Sequence, residues 1–191
     1  MQPTTIKERI ILGIDPGTAV MGYGLVREIG TKTELISLGV VKMDKIDDHM
    51  LKLQRIFEKT VALIDNYKPD CLAIEAPFYG KNIQVMLKLG RAQGVAMAAA
   101  LSRNIEVTEY SPRKIKQSIT GNGNATKEQV AAMLQNLLSF KETPDFLDAT
   151  DGLAVAVCHS FQKITPGKTG SKKSYSGWDT FVKDNVKRVV K

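Results

Sequence analysis

An α/β fold is what this sequence predicts: a five-stranded mixed sheet with helices on both faces. Three observations predict it. Ile10, Ile11, Leu12 and Ile14 form a short, almost continuous apolar run stopped by Pro16-Gly17, the mark of a strand buried on both faces. Two further strand-like segments follow with short connections, as in an antiparallel meander. From residue 46 onward, short strands alternate with stretches of helical periodicity, the pattern of βαβ units.

Each element has its own justification. Residues 9–15 form the first strand, 21–28 the second and 33–43 the third, with Leu35, Leu38 and Val40 at the apolar positions of the last. Residues 46–67 read as a helix because Met50, Leu53, Ile56, Val61 and Ile64 recur at helical spacing, and Lys68-Pro69-Asp70 stops it. Residues 71–75 are a second short buried strand that, like the first, ends in an acid before a proline turn. Residues 82–103 form a helix despite Gly90 and Gly94, each of which costs roughly 1 kcal/mol relative to alanine. Such a small-residue pair implies close packing, against the sheet beneath or against a two-fold partner helix. Residues 105–110 make the fifth strand, and Ser111-Pro112 opens a helix with serine as cap and proline in the first turn. After a glycine-asparagine loop, Thr126 and Gln129 form a capping box for a helix to about residue 138. The last helix of the body starts near Pro144-Asp145 and runs through Val157. The globular body is expected to span 1–164, with 165–191 a basic tail rich in Lys, Gly, Ser and Thr.

The formal charge of +7 is unevenly spread. Residues 163–191 carry eight Lys or Arg and two Asp, so the body is close to neutral. Within the body, Lys81, Lys88, Arg91, Arg103, Arg113, Lys114, Lys116 and Lys127 are opposed across their span only by Glu106 and Glu109. That regional excess points to a polyanionic partner. No apolar run reaches membrane-spanning length and the polar start does not read as a signal peptide, so a cytoplasmic protein without a membrane partner is expected. Cys71 and Cys158 lie in apolar stretches, which suits buried free thiols.

Four acids stand out. Asp15 and Glu75 end two buried strands, and Asp148 and Asp151 share one face of the last helix, interrupting the apolar run after Leu147. Buried carboxylates of like charge are costly unless a cation joins them. With no Cys/His set at zinc spacing, the donors would be all oxygen, suiting Mg²⁺ or Mn²⁺.

Four segments, Ile11-Leu-Gly-Ile-Asp-Pro-Gly-Thr, Leu72-Ala-Ile-Glu-Ala-Pro-Phe-Tyr-Gly-Lys-Asn82, Leu89-Gly-Arg-Ala-Gln-Gly-Val-Ala96 and Asp148-Ala-Thr-Asp-Gly-Leu-Ala154, occur in this order. Together they resemble the successive motifs of the RuvC family, bacterial Holliday-junction resolvases with an RNase H-like fold. The resemblance implies a homodimeric endonuclease of recombination and repair that nicks two strands of four-way junction DNA symmetrically. It implies two divalent ions per site, held by Asp15, Glu75, Asp148 and Asp151, with Lys116 and Lys127 near the scissile phosphate. It also implies that Phe78 stacks on an opened base, and that a branch-migration motor of the RuvA/RuvB type is a partner. Phe78, Lys81, Arg91, Arg113, Lys114, Lys116 and Lys127 are the expected DNA-binding residues. Ala76-Pro77 departs from the glutamine that many members carry after the second acid.

Two other readings share some of these features. An actin-like ATPase or kinase also has Asp-x-Gly-Thr after a buried strand, but needs a second, repeated domain that 191 residues do not supply. A non-catalytic junction binder has no use for all four acids. Gly167-Lys-Thr169 imitates the end of a phosphate-binding loop, but Gln162 stands where that loop needs its first glycine. His159 reads as a packed or surface histidine, and His49 as a solvated one.

Overall fold

The computed structural model describes residues 8–77, 82–141 and 146–162. In chain order the elements are β1 (Glu8–Asp15), β2 (Val20–Ile29), β3 (Lys32–Lys42), α1 (His49–Tyr67), β4 (Cys71–Glu75), α2 (Ile83–Leu101), β5 (Glu106–Tyr110), α3 (Pro112–Thr120), α4 (Lys127–Leu138) and α5 (Phe146–Ser160). The five strands lie in the order β3-β2-β1-β4-β5. The first three pair antiparallel, while β4 lies parallel to both β1 and β5. The expected mixed sheet is therefore present, and β1 is its middle strand.

Strand parity decides which side chain meets which helix. In β1, Leu12 and Ile14 pack with Leu72 and Ile74 of β4 against α1 and α2. The alternate positions, Ile11 and Cys71 with Ala73, pack against α3, α4 and α5. Because side chains alternate at a period of two, Asp15 continues the series Ile11, Gly13 and Glu75 continues Cys71, Ala73. Both acids therefore issue toward α5.

The helix termini show where local chemistry overrides apolar periodicity. The first helix was expected from residue 46, but α1 begins three residues later because the Asp48 side chain accepts hydrogen bonds from the backbone N–H groups of Met50 and Leu51. Asn82 caps α2 in the same way, and the Thr126–Gln129 capping box closes as expected. Residues 144 and 145, where the last helix was expected to begin, lie outside the described residues.

The central glycines explain how α5 comes so close to the sheet. A Cβ at Gly13 would lie 2.3 Å from the carbonyl oxygen of Gly152, and one at Gly22 would lie 2.1 Å from that of Asp148. A Cβ at Gly152 would in turn sit 2.5 Å from the backbone of Gly22 and Tyr23. Helix and sheet thus meet backbone to backbone, a separation that a single methyl group would widen. Gly90 and Gly94 behave differently: a Cβ at either would meet nothing within 4 Å. Their face of α2 is turned away from the sheet, while Ala92, Ala96, Ala99 and Ala100 are buried.

Candidate active site

Asp15 and Glu75 stand at the ends of adjacent parallel strands, where the register pairs Ile14 with Ile74. With Lys116 of α3, Lys127 of α4 and Asp151 of α5 they line a cavity of about 90 Å³. The same two carboxylates also line a second cleft, about 230 Å³, with Pro16, Gly17, Ala76, Pro77 and Leu89. Asp15 and Glu75 therefore form the wall shared by two openings, one toward α3–α5 and one toward α2. Asp148 does not line either cleft, yet its charge acts on Asp15.

The electrostatics are those of an acid cluster short of positive charge. Burial first, then the charges of Asp151 and Asp148, pushes the Asp15 carboxyl up to about 6. Burial and the neighbouring Asp15 and Asp151 raise Glu75 to about 8. Lys127 is the main counter-charge, its Nζ lying 2.5 Å from Asp151 Oδ2. Burial still holds Asp151 above the ordinary carboxylate range despite this bond. Burial works against the Lys127 ammonium, but Asp151, Asp15 and Asp148 together raise its pKa.

One positioning group was not read from the sequence. Gln93, buried on α2, donates from Nε2 to the backbone carbonyl of Glu75 (3.3 Å) and to Glu109 Oε2 (2.8 Å). It ties α2 to the strand ends that carry the site. Its cue was available as the one amide on the small-residue face of that helix. The glycines that seat α5, above all Gly22 and Gly152, were also overlooked as site-builders.

The expected basic residues divide into two groups. Lys116 and Lys127 share the cavity with the acids. Arg91, Arg113 and Lys114 are exposed and line neither cleft; the Arg113 side chain lies against Gly123 instead. Phe78 and Lys81 lie outside the described residues. His159 is a packed histidine, as expected, with Tyr110, Cys71 and Arg9 around it. Cys71 and Cys158 are free and buried.

The donor set suits a hard divalent cation. It is all oxygen, it stands on rigid strand ends and one helix, and its carboxylates repel one another in ways a bound cation would relieve. Among the described residues, no three His, Cys, Asp or Glu side chains close around one point as a complete shell. Asp151 is turned to Lys127.

A mixed sheet in this strand order, with acids on its two central parallel strands facing an acid-bearing helix, defines an RNase H-like nuclease. The model of the family described as "Crossover junction endodeoxyribonuclease RuvC" matches residues 11–159. The crossover junction endodeoxyribonuclease RuvC of Christiangramia forsetii is 60% identical over 182 residues, 95% of this chain and 93% of its own length. That of Bacteroides fragilis is 58% identical, covering 96% of this chain and 97% of its own length. The structure of Thermus thermophilus RuvC in complex with Holliday junction substrate superposes with a TM-score of 0.74 at 32% identity, over 80% of this chain and 93% of that one. The chain belongs to the RuvC family of crossover junction endodeoxyribonucleases. It is a hydrolase of the nuclease class, and among the described residues no helix is long and apolar enough to cross a membrane.

Proposed function

We propose that this chain resolves four-way junction DNA by nicking two strands symmetrically, with Asp15, Glu75, Asp148 and Asp151 as its metal-binding acids. The observation that carries this reading is the gathering of Asp15, Glu75 and Asp151 with Lys116 and Lys127 around one small cavity. When bound there, two divalent cations, Mg²⁺ or Mn²⁺, supply the charge that activates the attacking water and stabilises the departing 3′-oxygen. Asp15 and Glu75 both border the two clefts and would hold the ions together, with Asp15 on the middle strand of the sheet. Lys127 holds Asp151 in the absence of substrate and is free to turn its ammonium to the phosphate once Asp151 has another cation to bind. Lys116 adds positive charge to the same cavity. Phe78 and Lys81, with Arg91, Arg113 and Lys114 at the surface, would contact the DNA around the opened centre of the junction.

Symmetric nicking needs two sites, and α2 carries a surface fit for a second copy. Ile83, Leu87, Gly90, Gly94, Ala98 and Leu101 recur at helical spacing on its outer face, with Ile83, Leu87 and Leu101 at least half exposed. We assign the homodimer interface to that stripe. The body 1–164 would do the cutting in the cytoplasm, the basic residues 165–191 would add general DNA affinity, and a branch-migration motor of the RuvA/RuvB type would deliver the junction. The deciding test is cleavage of a mobile four-way junction with and without chelator, mapping both nicks. Paired, symmetric, chelator-sensitive nicks are expected. Intact DNA would leave a binder only, and ATP consumption would favour the kinase reading.

A further inference from the structure

We propose that the cleft between β3 and α1 is a second phosphate-binding site, which takes the sugar-phosphate backbone of a DNA arm leaving the cut site. It rests on the junction-cutting reading above. The cleft is about 470 Å³ and is lined by Tyr23, Lys42, Arg55, Lys59, Leu63 and Asn66 among others. Arg55, Lys59 and Asn66 share one face of α1, at i, i+4 and i+11, so two cations and an amide project along one wall.

Two features mark the cleft as built for an anion. The first is that two of its cations, Arg55 and Lys59, have no carboxylate partner among the described residues. Glu58 accepts from Gln54, and Asp65 is held by Arg103. The second is a floor made by an aromatic lying over a glycine. Tyr23 of β2 stands opposite Gly39 of β3, and a Cβ at Gly39 would lie 2.7 Å from Tyr23 Oη and 2.9 Å from Cζ. With no side chain at 39, the ring lies across the edge strand and brings its hydroxyl, a hydrogen-bond donor, to the cleft.

Position supplies the link to the junction. Asp15 pairs with Gly22, and Gly22 with Val40, so the end of β3 lies two strands, about 10 Å, from the end of β1, with the cleft on the α1 face of the sheet and the acids on the α5 face. Lys42 ends β3 there, and Arg55 and Lys59 continue the positive track along α1. The cleft sets cations and hydrogen-bond donors beside an apolar floor of Val40, Val41, Ala62 and Leu63, so the cations and donors can hold a phosphodiester backbone without purchase on a particular base.

The test uses the full chain and a long-armed four-way junction, with affinity measured over a salt series. Arg55→Glu with Lys59→Glu should weaken binding roughly 10-fold and reduce the magnitude of the log–log salt slope by about two, one per lost phosphate contact. Arg55→Gln with Lys59→Gln should give a smaller loss with the same fall in slope, and thermal melting confirms that both variants fold. Affinity and slope unchanged in both variants would overturn the site while leaving junction cutting intact. A second arm titrates inorganic phosphate and a mononucleotide against the amide signals of Arg55 and Lys59. Perturbation there together with unchanged DNA affinity would overturn the DNA assignment in favour of a free phosphate ligand. An unaltered chain that neither binds nor cuts junctions would remove the proposed function and this site together.

Discussion

At one end of α5, Asp151 shares a cavity with Asp15 and Glu75 and the Asp148 charge acts on Asp15, so the carboxyls crowd one another with one lysine as their main relief. At the other end, His159 is enclosed by partners: Tyr110 Oη lies 2.8 Å from its Nδ1, while Cys71 Sγ and Arg9 each lie 3.4 Å from its Nε2. Arg9 is in turn paired with Glu28 at 2.8 Å. The same helix on the same sheet thus carries a self-sufficient polar network at one end and an unsatisfied one at the other. Buried polar groups are normally satisfied within the protein. Where they are left short of charge on rigid elements, the missing charge belongs to a ligand.

The largest effect should come from breaking the unsatisfied end at its centre. Asp15→Asn keeps the shape of the side chain and removes one of the two anions that border both clefts. Nicking of a synthetic junction should fall by about 1000-fold or more, while junction affinity measured by fluorescence anisotropy is retained. Loss of affinity in parallel would give Asp15 a folding role instead.

Next comes the seat of α5. Gly152→Ala places a methyl against the backbone of Gly22 and Tyr23, so helix and sheet must separate. A loss of about 3 kcal/mol in denaturant unfolding is expected, together with slower nicking because Asp151 moves with the helix. The same substitution at Gly94, where a Cβ meets nothing within the chain, should leave the stability of the monomer unchanged or slightly raised. Equal effects at the two sites would dismiss the backbone-to-backbone seat.

Glu75→Gln sharpens the comparison through pH. The folded carboxyl titrates at about 8 and the unfolded one near 4.5, so the folded state retains a proton that the unfolded state releases. Stability of the metal-free protein should therefore fall as pH rises from about 4.5 to about 8, with Asp15 adding to the fall between 3.8 and about 6. Glu75→Gln should remove most of that slope and raise the metal-free melting temperature at pH 8 by about 5 °C, on the order of 2 kcal/mol, while abolishing cutting. Added Mg²⁺ should stabilise the unaltered protein at pH 8 and do less for the variant.

How much of this could be read from the chain follows the same division. The sheet, its order of elements and the acids at strand ends were legible because apolar runs of fixed period, stopped by Pro-Gly and Lys-Pro, leave few alternatives. The cavity that joins Lys127 to Asp151 was not, because a separation of 24 positions carries no local record of the approach. Nor was the role of Gly22 and Gly152, since a glycine needed for close approach looks in sequence like one needed for a turn. Gln93 was hidden for a third reason: a single amide among alanines gains meaning only when Glu75 and Glu109 are known to lie beneath it.

The smallest effect tests the satisfied end. Tyr110→Phe keeps the ring and removes the hydroxyl that lies against His159, leaving Nδ1 without that partner. A loss of about 1–2 kcal/mol is expected, with junction cutting unchanged under folding conditions. The pH dependence here should run opposite to that of Glu75. Burial, and then the Arg9 charge, holds the folded imidazole below its ordinary 6.5. The unfolded chain takes up a proton there that the folded chain resists, so this end is at full strength above 6.5 and weakens as pH falls through that value. Replacing His159 by glutamine should flatten the acid-side loss and leave the alkaline-side loss due to Glu75 in place. If one substitution flattened both limbs, the two ends of α5 would be a single coupled network, and the contrast between them would be false.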